Sequence, residues 1–160
     1  MTAALTIQQA VLNEAYQWLG TPYRHGAARK QVGCDCLGLI RGVWREIYGD
    51  EPEKPATYAP DWAELSDKEP LLDAAAKYMV SRPIPALMQD ISPAQVLVFR
   101  WQPTMTAKHI AIMGHEGRFI HAYHGHRVLT SALVPQWFRR IAGVFEFPQP
   151  AGQSIQGRNL

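Results

Sequence analysis

The sequence predicts an α+β fold in which N-terminal helices pack on a central antiparallel β-sheet. Three observations lead there. Apolar residues recur at helical spacing in two early segments, 7–18 and 37–48; an alternation that suits strands appears over 108–113 and resumes over 118–123; and Gly114-His115-Glu116-Gly117 supplies turn chemistry between those two stretches. Helices followed by paired strands is the pattern of segregated α and β layers.

The elements follow in order. Thr6-Ile7-Gln8-Gln9 resembles a capping box, and Ile7, Ala10, Val11, Glu14, Ala15 and Trp18 mark a first helix that Gly20 ends. Leu37, Ile40, Val43, Trp44, Ile47 and Tyr48 mark a second, stopped by Gly49-Asp50, and the first helix is expected to pack beside it. Residues 50–93 read as a proline-rich insertion carrying a helix over 67–80, with Pro70 near its first turn. Lys108 to Met113, Arg118 to Tyr123, Arg127 to Thr130 and Gly143 to Phe147 read as strands. Trp137 and Phe138, between the last two, are expected in the core. One domain over 1–148 and a flexible tail over 149–160 is the simplest division.

Cys36 falls where a loop becomes the second helix, in Gly33-Cys34-Asp35-Cys36-Leu37-Gly38-Leu39-Ile40. Unpaired N–H groups and the helix dipole favour a thiolate there, so the ordinary cysteine pKa of about 8.5 is expected to fall. The same N–H groups can donate to an oxyanion. Against this stands a buried cysteine that merely packs. A Cys34–Cys36 disulfide closes a very small strained ring, and no C-x-x-C pair suggests a metal.

Downstream, a turn centred on Glu116 sets His109 opposite Tyr123 and His121 opposite Ala111, which makes the two histidines a diagonal pair on one face of a hairpin. One imidazole then serves a thiol as general base while the other orients it. His25, His115, His124 and His126 are expected to be solvated. The run His121 to His126 matches no standard zinc spacing, so no metal is assigned.

These residues resemble the NlpC family of papain-like cell-wall cysteine peptidases. Asp35-Cys36-Leu37-Gly38-Leu39 is similar to its Asp-Cys-Ser-Gly-aliphatic nucleophile motif. His109 to Gly114 is similar to its His-Val-Gly-Ile-Tyr-Gly strand, Phe119-Ile120-His121-Ala122 to the strand bearing its third catalytic residue, and Leu19 to Arg24 to its Gly-x-Pro-Tyr element. Pro93 to Phe99 stands where the family has its Gly-Asp-Leu-Val-Phe-Phe strand, so the resemblance implies a strand there. The resemblance implies Cys36 as nucleophile, His109 as base and then acid, and His121 as orienting member. It also implies Tyr23 as a substrate or oxyanion-side contact and Asp35 as a polar contact near the substrate amine. The implied bond joins D-glutamate to the following diamino acid in the stem peptide of peptidoglycan. Leu37 in place of serine puts substrate preference in question, and Ala94-Gln95 in place of Gly-Asp is expected to alter a turn more than the chemistry.

The 160 residues, 47% of them hydrophobic, suffice for one core. A formal charge of +2 from scattered residues gives no concentrated patch for nucleic acid. The thiol chemistry requires no cofactor, and no apolar run is long enough for membrane insertion. The N-terminus shows no evident export signal. Together with the resemblance, this points to a virion or a phage-like particle, a phage tail or gene transfer agent, with tail proteins as partners and the envelope as site of action. Two other readings stand beside the peptidase: a related Cys-His-His amidase or acyltransferase, and an inert wall-binding tail component.

Overall fold

The computed structural model describes residues 4–52 and 68–150. Thr6 caps helix α1 (Ile7–Gln17) through the expected reciprocal box: its hydroxyl accepts from Gln9 N–H at 3.1 Å while Gln9 returns an oxygen to Thr6 N–H at 2.9 Å. A small hairpin, β1 (Ala28–Arg29) and β2 (Gly33–Cys34), then delivers the chain to α2 (Cys36–Tyr48), which ends at Gly49 in the left-handed region, φ +88°. That hairpin was not foreseen, because two-residue strands carry no periodicity.

Helix α3 (Pro70–Tyr78) is shorter than expected, and Val80 belongs instead to an edge strand, β3 (Val80–Arg82). Met79 is already extended, and Val80 pairs with Glu146, so ladder hydrogen bonds take over from the helix. The rest of the sheet is β4 (Val96–Phe99), β5 (His109–Met113), β6 (Arg118–Ala122), β7 (Val128–Ala132) and β8 (Ile141–Glu146), with a short helix α4 (Pro135–Phe138) before the last strand. Strand order is β3-β8-β4-β5-β6-β7, with every pairing antiparallel. Residues 53–67 of the expected insertion and 151–160 of the expected tail lie outside the described residues.

Alternation along the strands divides the core in two. Val96, Val98, Ile110, Ile112, Ile120 and Ala122 pack toward α1 and α2. Leu97, Phe99, Ala111, Met113 and Phe119 face the other way, under Ile91, Leu133 and the partly buried Trp137 and Phe138. Trp18 fixes how closely the two helices approach. A Cβ at Gly42 would lie 2.0 Å from its ring, so only glycine admits the indole against α2. The indole N–H donates to buried Glu14 at 2.8 Å, and Lys30 pairs with the same carboxylate at 2.8 Å. That explains a carboxylate on the buried face of α1. Ahead of β4 the altered turn is visible: Ala94 adopts φ +74°, a conformation that favours glycine, and Gln95 ties the turn to β8 through Glu146 Oε2 at 2.9 Å.

Candidate active site

Cys36 is the first residue of α2 and is partly exposed. Its Sγ lies 3.9 Å from the carbonyl of Lys108, and backbone N–H groups of Ile110, Leu37 and Cys36 itself are directed at it. The sulfur therefore meets β5 at the main chain on either side of His109. Among the described residues its hydrogen-bond partners are main-chain groups and not an imidazole.

Helix position alone predicts a thiol of lowered pKa, and here the structure corrects the expectation. The Cys36 thiol is pushed up to about 12, first by burial and second by the Asp35 carboxylate, against which the three N–H groups act more weakly. Resting Cys36 is a neutral thiol.

Asp35 is the N-cap. One oxygen accepts from Gly38 N–H at 2.7 Å and the other from Gly26 N–H at 2.8 Å, so a single buried carboxylate both starts α2 and pins the preceding loop on it. Gly38 is required for that contact, since a Cβ there would stand 1.9 Å from the Ala27 carbonyl oxygen. Tyr23 bridges in parallel to Cys34 and is half-buried. Burial, then the neighbouring Cys36, Asp35 and Cys34, raises its phenol to about 12. Tyr23 thus keeps its O–H at physiological pH.

The histidines do form a pair. Ile112 pairs with Ile120 and Met113 with Phe119, the register in which His109 falls opposite Tyr123 and His121 opposite Ala111. His109 Nε2 lies 2.8 Å from His121 Nδ1. His121 Nε2 in turn lies 2.8 Å from Ser131 Oγ on the edge strand β7. Both rings are buried, His109 at 7% exposure and His121 at 0%, on the sheet face opposite the helices. Trp101 stacks on His109 with centroids 5.5 Å apart, and Phe119 and Trp137 flank His121 at 4.6 and 5.7 Å. Burial and, for His109, its histidine neighbour lower the two to about 3 and about 4, so both are neutral at physiological pH.

The remaining histidines are exposed, yet several border the site: His124 meets the Tyr23 ring edge-on at 4.9 Å, and His25 Nδ1 lies 3.9 Å from Asp35 Oδ2. Among the described residues no group of three or more histidines, cysteines or acids is placed to hold a metal, and no helix is long and apolar enough to cross a membrane. Cys34 is fully buried and Cys36 partly exposed, both as free thiols. Beside the sulfur, Leu37 and Ile110 begin a mostly apolar cavity of about 320 Å³ that continues along Ile40, Trp44, Leu71 and Met79. Sequence reasoning missed Trp101 and Ser131. Trp101 precedes an irregular loop, and Ser131 gave no signal except its place two residues beyond the one opposite His121.

A thiol at a helix start against a histidine-bearing antiparallel sheet, on an α+β scaffold of papain-like type, is the framework of cysteine hydrolases. Residues 20–145 match the family model described as NlpC/P60 family, and the chain belongs to that family. It is similar to the gamma-DL-glutamyl hydrolase of Bacillus subtilis, 27% identical over 143 residues, covering 89% of this chain and 30% of that one. It is also similar to the murein DD-endopeptidase MepH of Escherichia coli, 24% identical over 137 residues, covering 84% of this chain and 44% of that one. The chain therefore spans less than half the length of either relative. Among solved structures, the NlpC/p60 domain of the peptidoglycan hydrolase SagA superposes with a TM-score of 0.57 at 23% identity, covering 88% of this chain and 98% of that one. An NlpC/P60 family protein from Bacillus cereus gives 0.57 at 18% identity, covering 92% and 41%. These superpositions establish the fold.

Proposed function

We propose that this protein is a cysteine peptidase that hydrolyses an amide in the peptide stems of bacterial peptidoglycan. The observation that carries the reading is the 2.8 Å bond between His109 and His121, on the strand whose main chain holds the Cys36 sulfur.

The chemistry starts from neutral partners. His109 Nε2 faces His121, so Nδ1 is the nitrogen that takes the thiol proton when Nε2 carries the ring's own hydrogen. Proton transfer requires sulfur and Nδ1 to meet at the start of β5, where the main chain on either side of His109 already holds the sulfur; such bonds commonly tighten only in the substrate complex. The sulfur then attacks the carbonyl carbon while its proton passes to His109. Backbone N–H groups at the start of α2 and the Tyr23 hydroxyl are the donors near the developing oxyanion. As the tetrahedral intermediate collapses, the leaving amine takes the proton from His109. Water, deprotonated by the same ring, then releases the acyl group from sulfur.

For the bond itself, our reading is the one between D-glutamate and the diamino acid. The two relatives carry names that denote different activities, a gamma-DL-glutamyl hydrolase and a murein DD-endopeptidase. Leu37 and the apolar cavity beside it favour a second reading, an amidase or acyltransferase acting through the same residues on an amide flanked by an apolar group. Digestion of purified peptidoglycan by wild type and Cys36→Ala, with fragments identified by mass spectrometry, separates the two. Fragments ending at D-glutamate support the first, and intact stems with turnover of an apolar amide the second. For the carrier, our reading is a phage tail or phage-derived particle, tested by searching purified particles for this chain.

A further inference from the structure

We infer that Ser131 is a positioning residue whose hydroxyl, by accepting a hydrogen bond from His121 Nε2, sets the tautomers of both histidines so that His109 Nδ1 is left unprotonated. The inference rests on the proposed reading of His109 as the base.

The geometry is a chain of two bonds, His109 Nε2 to His121 Nδ1 and His121 Nε2 to Ser131 Oγ, each 2.8 Å. With neutral rings, each imidazole carries one proton, so the chain has only two consistent arrangements. In one, His109 Nε2–H donates to His121 Nδ1 and His121 Nε2–H donates to Ser131. In the other every bond reverses, Ser131 donates, and the His109 proton sits on Nδ1. Only the first can take a proton from a thiol. The choice is therefore made at the far end of the chain, by whether Ser131 accepts or donates.

Its surroundings favour acceptance. Ser131 lies on the edge strand and is partly exposed, so its own proton has access to water, whereas His121 is sealed at 0% exposure and has no other partner for Nε2 among the described residues. The adjacent Thr130 cannot substitute: its side chain is on the opposite face and accepts from Arg118 Nε at 3.0 Å. When His109 becomes an imidazolium, polarisation runs outward along the same direction, which strengthens both bonds as charge develops. The pairing register supports the placement, since His121 lies opposite Leu129 and Ser131 is its diagonal neighbour on the same face.

The test compares wild type, Ser131→Ala and Ser131→Thr. Heteronuclear NMR of the imidazole nitrogens reads the tautomers directly, without substrate. Wild type should show both rings protonated at Nε2. Ser131→Ala should give a mixture with Nδ1–H forms and a kcat on peptidoglycan reduced about tenfold with KM little changed, the size of one lost hydrogen bond felt at the transition state. Ser131→Thr keeps the hydroxyl and should restore both. The inference is overturned if Ser131→Ala leaves the tautomers as in wild type, or if threonine restores neither. Because the tautomers are read without turnover, they decide this point even if wild type proves inactive on peptidoglycan, an outcome that would sink the proposed function instead.

Discussion

The two halves of the candidate site are built on opposite principles. On the helix side the sulfur is surrounded by main-chain N–H groups and by a buried carboxylate, so polar groups of both signs compete around it. On the sheet side the two imidazoles sit among Phe99, Trp101, Phe119 and Trp137, where apolar packing dominates. Both halves end up uncharged, the thiol because its anion is disfavoured and the histidines because their cations are. Both shifts disfavour an ion pair at rest, so proton transfer is deferred until a substrate supplies the oxyanion that rewards it.

The largest effect should come from removing either reacting group. Cys36→Ala should reduce peptidoglycan hydrolysis by about four orders of magnitude or more, and His109→Ala by roughly 10²- to 10⁴-fold, with thermal unfolding of Cys36→Ala close to wild type. Retained hydrolysis in Cys36→Ala would break the thiol side of the comparison outright. Next, His121→Ala should lower kcat by up to about 10⁴-fold, while His121→Gln, which keeps an acceptor for His109, recovers part of the loss. Equal activity of the two variants would show that His121 acts only by packing.

A smaller effect sharpens the helix side. Asp35→Asn removes the charge that helps raise the thiol, so alkylation of Cys36 by iodoacetamide should become measurable at lower pH, with peptide mapping to exclude the buried Cys34. The same change weakens the cap on Gly38 and Gly26 and should cost about 1–2 kcal/mol in urea unfolding. A more reactive and less stable variant is the signature; unchanged alkylation would mean burial alone holds the thiol neutral.

The mildest test is acid. His109 and His121 titrate at about 3 and about 4 in the folded protein, against an ordinary value of 6.5. Between those values the unfolded chain binds protons that the folded chain does not, so the stability these rings contribute is complete above about 6.5 and is lost as pH falls toward about 4 and 3. Urea midpoints should fall across that window, and a His109→Gln, His121→Gln double variant should show a shallower slope. Parallel slopes would place the acid sensitivity elsewhere.

Several parts of this arrangement were legible in the residues themselves. The capping box at Thr6, the start of α2 at Asp35-Cys36 and its stop at Gly49 are local hydrogen-bonding patterns, so sequence spacing determines them. The β5–β6 register follows from one short turn and the alternation on either side of it, which is why the His109–His121 diagonal is legible in the sequence. Where the chain pairs over long distances, spacing was silent. Val80 joined the sheet because Glu146 lies beside it, and Ser131 reached His121 only once β7 folded back.

What the sequence determined by itself, then, is the set of elements and the residue types at their ends, because helix caps, turns and alternation are settled among near neighbours. Tertiary structure alone decided the protonation of the site. Whether a helix-start cysteine is a thiolate depends on how deeply the sheet covers it and on the carboxylate beside it, and whether a histidine is charged depends on the aromatic rings packed around it. Desolvation is a property of the assembled core, summed over residues far apart in the chain, and no local motif encodes it.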